Sequence, residues 1–133
     1  MTPAIDHLSA ISLFVEDLPA ARAFYRDVFG APTVFEDESS VAFRFGALIV
    51  NLLRIEDAPE LVAPGKVGAR DAGSRFQLSI WVDDVDAVCS ALRIRGVTAL
   101  TGPLDRPWGM RTANFTDPAG HSWEVAQRTG AGG

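Results

Sequence analysis

Apolar and polar positions along this chain follow two periods, and the two periods recur in the same order twice. Ile11-Ser12-Leu13-Phe14-Val15 reads as a short strand of bulky residues. Asp17 is expected to cap a helix, with Pro19 in its first turn and Gly30 at its end. Ala21, Phe24, Tyr25 and Val28 fall on the i, i+3, i+4, i+7 stripe that such a helix would lay on a sheet. Three strands are expected next, at Thr33–Phe35, Val41–Phe45 and Leu48–Leu53, with turns at Glu36–Ser40 and Gly46. Residues 56–74 lose all periodicity and read as a linker, either a plain connector or a flap. The pattern then restarts. Phe76–Val82 is a strand, Asp84 a cap, Val85, Val88, Cys89 and Leu92 a second helical stripe, and Gly96 its stop. Further strands are expected near Thr98–Leu100, Arg111–Phe115 and Ser122–Ala126, with a turn at Asp117–Gly120.

The repetition extends to the residues themselves. A shift of 67 positions lays SLFVEDLPAARAFYRDV over SIWVDDVDAVCSALRIR, with Ser12/Ser79, Val15/Val82, Asp17/Asp84, Ala20/Ala87 and Arg26/Arg93 identical. Random pairing would give roughly one identity over such a stretch, so an internal duplication is the better account. The expected layout is one domain over residues 1–133, made of module one at 8–55, the linker at 56–74, module two at 75–128 and a flexible tail at 129–133. The glycines at its end are not a dinucleotide fingerprint, since no strand and helix flank them.

Composition narrows the function. Seventeen acidic against 12 basic residues give a net charge of −5 over 133 residues, which argues against nucleic acid as a partner. No run of about 18 apolar residues is present, so no membrane association is expected. One Cys cannot form an internal disulfide, and no export signal is visible, so a cytoplasmic location is expected. Cys89 sits on an apolar helical stripe and reads as a core residue. The chain lacks a nucleophile elbow, a phosphate loop and an H-E-x-x-H motif.

Two βαβββ modules with this wording resemble the vicinal oxygen chelate superfamily, which includes glyoxalase I, bleomycin-resistance proteins and extradiol dioxygenases. The resemblance rests on SLFVEDLPAARAFYRDVFG in the first half, and on SIWVDDVDAVCSAL, PWGMR and FTDPAGHSWEV in the second. It implies an α+β fold in which the two repeats form a curved mixed sheet around a cavity, with helices outside. It also implies a homodimer with ligands in grooves between subunits.

The resemblance further implies a divalent metal, held by one residue near the start of each module's first strand and one on its last. Those positions here are Ala10, Asn51, Gln77 and Glu124. Family enzymes typically carry His and Glu there, as transition metals prefer imidazole and carboxylate donors. Ala10 has no donor, Asn51 and Gln77 offer neutral amides, and Glu124 is the single anion, so no metal is expected. A water or substrate oxygen in Ala10's place would keep metal use open. His7 and His121 each lie three residues before one of these positions, which on a regular strand is the opposite face. Both read as structural.

Strand alternation groups Ala10, Ser12 and Phe14 on one face, Gln77, Ser79 and Trp81 on another, and Ser122 and Ala126 beside Glu124. These are the candidate cavity faces. Glu124 has three open uses: anchor for a ligand amine or hydroxyl, structural carboxylate, or general base. Trp108, in the Pro107–Arg111 turn, reads as a stacking surface. Arg111 can meet a substrate carboxylate or a surface acid. Phe43 and Phe45 read as core, with Arg44 pointing the other way toward the cavity. The candidate ligand set is therefore Phe14, Asn51, Gln77, Trp81, Trp108, Arg111 and Glu124, with Glu124 the candidate catalytic residue. Two functions compete: a metal-free protein binding aromatic or antibiotic-like small molecules, and a divalent-metal-dependent lyase, isomerase or dioxygenase of the glyoxalase type. A domain serving only a protein partner has no specific support.

Overall fold

A computed structural model describes residues 3–130, and the tail residues 131–133 lie outside the described residues. The chain forms two compact units that divide between Ala69 and Arg70, inside the expected linker.

The first unit holds β1 (Ala10–Val15), α1 (Leu18–Phe24), β2 (Thr33–Glu36), β3 (Ser40–Phe45) and β4 (Leu48–Arg54). Its sheet runs β1-β4-β3-β2, with β1 parallel to β4 and the other pairs antiparallel. Asp17 caps α1 by accepting a bond from the Ala20 N–H at 3.0 Å. The helix widens into a π turn over Tyr25–Phe29 and stops at Gly30, whose φ of 65° suits glycine. Leu18, Ala21, Tyr25 and Val28 bury the helix stripe, and Leu13, Val15, Val41, Phe43, Val50 and Leu52 answer it from the sheet. Tyr25 stacks on Phe43 at 5.9 Å between ring centroids. On the outer strand, Arg22 of α1 pairs with Glu36 at 2.6 Å.

The second unit repeats this plan with β5 (Gln77–Trp81), α3 (Val85–Ile94), β6 (Thr101–Arg106), β7 (Met110–Thr116) and β8 (Ser122–Arg128). Its sheet runs β5-β8-β7-β6, with β5 parallel to β8. Asp84 caps α3 through the Ala87 N–H at 3.1 Å, and the Val85 N–H donates to Gln127 Oε1 at 2.8 Å. Val85, Cys89 and Leu92 of α3 are buried, as are Ala113, Phe115, Trp123 and Val125 of the sheet. Burial pushes the Cys89 thiol above its ordinary pKa, which fits a core residue.

One expectation needs correction. The strand expected at Thr98–Leu100 begins instead at Thr101, because pairing with β7 starts there and slips between Thr101 and Leu104. Gly102 and Pro103 fall in that slip, and β6 is an edge strand, where proline's missing N–H is tolerated. Along the linker, single 3₁₀ turns form at Ile55–Asp57 and Arg70–Ala72, around α2 (Pro59–Val62). Arg54 pairs with Asp57 at 3.1 Å, and Ala58 is fully buried, so this end of the segment packs on the first unit. At the other end Arg70 packs against the β7–β8 turn, where a Cβ on Gly120 would stand 3.1 Å from its side chain.

Two outcomes follow for stability. Asp84→Ala should lower unfolding free energy by about 1 kcal/mol through loss of the cap. Phe115→Ala should cost about 3–5 kcal/mol as a core deletion. Urea melts followed by far-UV circular dichroism measure both; equal effects would contradict the burial difference.

Candidate functional site

Each sheet carries its helix on one face only, and the candidate residues are distributed by that division. In the second unit, strand register arranges the helix-free face as cross-strand rows. The first row is Thr116, Ser122 and Gln77; the second is Asn114, Glu124 and Ser79. The third is Leu104, Thr112, Ala126 and Trp81, and the fourth is Arg106, Met110 and Arg128.

The rows are tied together by side-chain hydrogen bonds. Gln77 Nε2 donates to Ser122 Oγ at 3.1 Å, and Ser79 Oγ donates to Glu124 Oε1 at 2.8 Å. Glu124 is half-buried, and its other oxygen has no hydrogen bond among the described residues. That leaves acceptor capacity for a ligand hydroxyl or amine. Trp81 and Trp108 are each 65% exposed, although tryptophan is a costly residue to leave in water. Each carries a guanidinium: Arg128 lies 5.2 Å from the Trp81 ring, and Arg106 lies 5.9 Å from that of Trp108. Arg106 also donates from Nε to Thr112 Oγ1 at 2.8 Å, folding its stem back over the sheet.

The first unit repeats the scheme in weaker chemistry. Its equivalent rows are Arg44, Ile49 and Ala10; then Ala42, Asn51 and Ser12; then Ser40, Leu53 and Phe14. Asn51 Nδ2 donates to Ser12 Oγ at 3.4 Å, in the place that Glu124 and Ser79 occupy in the second unit. Arg44 is exposed on this helix-free face, while Phe43 is buried on the other.

Arg111 lies elsewhere. Alternation along β7 puts it with Ala113 and Phe115 on the helix side, opposite Glu124. Its Nε and Nη2 donate to Asp86 of α3 at 3.2 and 2.9 Å, and Nη1 donates to Asp105 at 3.1 Å. Of the two partners open to Arg111, a substrate carboxylate or a surface acid, the structure supplies surface acids: Asp86 and Asp105 hold it on the face opposite Glu124. His121 likewise serves its turn, with Nδ1 2.9 Å from an oxygen of the buried Asp117, which also accepts from the Ala119 N–H at 3.0 Å. His7 is exposed in the segment before β1.

The donor set does not fit a transition metal. Ala10 supplies no donor, Asn51 and Gln77 supply only neutral amide oxygens, and Glu124 supplies one carboxylate. Among the described residues, no three His, Cys, Asp or Glu side chains converge on a possible metal position.

Residues outside the sequence-based set complete the face: Asn114, Thr112, Met110, Arg106 and Arg128. Arg128 stands four residues after Glu124 and so shares its face by alternation, a signal already present in the sequence. Arg106 lacked one, because its direction depends on the slip at Gly102–Pro103.

The sequence and the fold both have counterparts among known proteins. The sequence profile of the Glyoxalase/Bleomycin resistance protein/Dioxygenase superfamily matches residues 4–125, and the chain belongs to that family. Its relatives include the uncharacterized protein YraH of Bacillus subtilis (strain 168), 36% identical over 115 residues, 84% of this chain and 90% of that protein. Among solved structures, lactoylglutathione lyase from Agrobacterium tumefaciens superposes with a TM-score of 0.74 at 27% identity, over 94% of this chain and 96% of that one. TnmS3, an antibiotic binding protein from Streptomyces sp. CB03234, superposes with a TM-score of 0.69 at 29% identity, over 96% of this chain and 100% of its own.

The Arg111 cluster yields a pH test. Hydrogen bonds from Arg111 hold the Asp86 carboxyl below its ordinary pKa. A depressed carboxylate stabilises the fold above its unfolded pKa of about 4, and that contribution is lost as pH falls through the native value. Arg111→Gln should therefore raise the Asp86 titration midpoint toward the ordinary range, as read by carbonyl NMR. An unmoved midpoint would show that the pair is not formed in solution.

Proposed function

We propose that the protein binds a small aromatic molecule, without a resident metal, on the helix-free face of its second sheet. The observation that carries this reading is Glu124, with spare acceptor capacity, on the same face as the exposed Trp81. Trp81 and Trp108 supply flat apolar surface for stacking, while Glu124 and Gln77 supply polar contacts that fix orientation. Likeness to an antibiotic binding protein supports the binding role. On the first sheet, Phe14 and Asn51 offer a ring and an amide at the equivalent positions, a separate candidate surface on that unit.

The competing reading is a metal-dependent lyase or dioxygenase, in which Glu124 would be a ligand or base. Likeness to a lactoylglutathione lyase favours it, and the donor chemistry at Ala10, Asn51 and Gln77 weighs against it. A homodimer and a cytoplasmic location accompany the binding reading. The large exposed apolar residues Ile5 and Leu8 support self-association, and light scattering should give twice the chain mass. No described helix is long and apolar enough to cross a membrane.

The test is tryptophan fluorescence with a panel of aromatic hydroxyl and amino compounds in chelator-containing buffer. Quenching should saturate and remain unchanged on adding Ni²⁺, Zn²⁺ or Fe²⁺. Trp81→Phe and Trp108→Phe should each weaken binding about fivefold, the equivalent of about 1 kcal/mol of stacking. Glu124→Gln should weaken the hydroxyl and amino ligands about tenfold or more, through loss of a charge-assisted bond. A stoichiometric ion that co-purifies with the protein and is lost in Glu124→Gln would overturn this reading in favour of the enzyme.

A further inference from the structure

The fourth row of the second sheet brings two arginines together on one face of an acidic chain. Arg106 and Arg128 flank Met110 on adjacent strands, and neither pairs with a carboxylate among the described residues. Elsewhere in the unit the chain does neutralise such a cation, as Arg111 shows with two aspartates on the opposite face. Each unpaired guanidinium instead lies near the face of an exposed tryptophan. Two strand spacings separate their backbones, about 10 Å. That gap suits one planar group entering between the two arginine–tryptophan pairs.

We propose that this row selects a planar aromatic acid, its carboxylate or sulfonate taken by Arg128 and Arg106 and its ring laid against Trp81 or Trp108. The inference rests on the small-molecule reading above and adds the charge of the ligand. Glu124 fixes the other end. It lies four residues before Arg128 on the same face of β8, about 13 Å along the strand. The row between, Trp81, Leu104, Thr112 and Ala126, carries no charge; Thr112 and Ala126 are buried, so the surface a ring can reach there is that of the exposed Trp81 and Leu104. A ligand matching this face has an acid at one end, a fused or extended ring system in the middle, and a hydroxyl or amine at the other. Planar fork geometry makes arginine the suitable partner for such an acid, and its preference for carboxylates survives stacking on a ring.

The experiment compares 6-hydroxy-2-naphthoate with its neutral carboxamide by equilibrium dialysis against the full chain in chelator-containing buffer. The acid should bind about tenfold tighter than the amide, as expected of a charge-assisted bond against a neutral one. That ratio should fall as NaCl is raised, because the cations are exposed to screening. In Arg106→Gln/Arg128→Gln the ratio should collapse to near one, the acid losing about tenfold more affinity than the amide. Arg93→Gln, which removes the same charge from α3, should leave the ratio intact. Near-UV circular dichroism checks that the double variant is folded, and Arg128→Lys, which keeps charge but loses the fork, should retain only part of the preference. Equal binding of acid and amide to wild type, or a preference that survives the double variant, overturns this inference and leaves the aromatic-binding reading standing. Failure of both naphthalene compounds to bind overturns this inference as well; the quenching panel judges the broader reading separately.

Discussion

Parallel pairing of the first and last strand of each unit is the constraint on which the rest depends. β1 beside β4, and β5 beside β8, cannot be joined by a tight turn, so the chain must cross over. A capped helix and two further strands make that crossing, and the helix then has one place to put its apolar stripe: the near face of its own sheet. Leu13 and Val15 in one unit, and Trp123 and Val125 in the other, fall under it because strand side chains alternate. The opposite face is released from that duty. Polar and aromatic groups collect there without disturbing the core.

This separation explains the behaviour of the charged residues. Arg111 and Arg128 lie on paired strands of one sheet yet have opposite fates. Arg111 looks toward α3, where Asp86 and Asp105 complete its hydrogen bonds, and it stiffens the helix–sheet junction. Arg128 looks the other way, toward a tryptophan and solvent. An indole with a guanidinium above it offers both a flat surface and a positive charge, two properties that one small guest can use together. Ser79 and Gln77 hold the polar end of the face in place by bonding to β8 side chains, so the donor and acceptor positions are set by the sheet and not by a loop.

Much of this could be read from the residues, and where it could not the reasons are physical. Capped helices after Asp17 and Asp84, the buried stripe through Cys89, and the grouping of Ser12 with Phe14 and of Ser79 with Trp81 all follow from local periods, which the structure keeps. Register is not local. β6 carries a glycine and a proline where a strand is not expected, and only pairing with β7 fixes its start, hence the direction of Asp105 and Arg106. Arg111 was legible as a charge in a strand but not as one corner of a triangle with Asp105 and with Asp86, twenty-five residues earlier in the chain. The short turns between Ile55 and Ala72 show no amphipathic period because each is a single turn.

The correspondence between rows makes the duplication visible as geometry: Ser12 matches Ser79, Asn51 matches Glu124, and Ala42 matches Asn114. At the central position the copies have diverged, one keeping a neutral amide and the other an anion. Such divergence breaks the twofold equivalence of the plan at its central position, so that twin scaffolds carry two unlike polar centres, one neutral and one anionic. The two helix-free faces are therefore not interchangeable, and a chemical group that suits the anionic one has no reason to suit the neutral one.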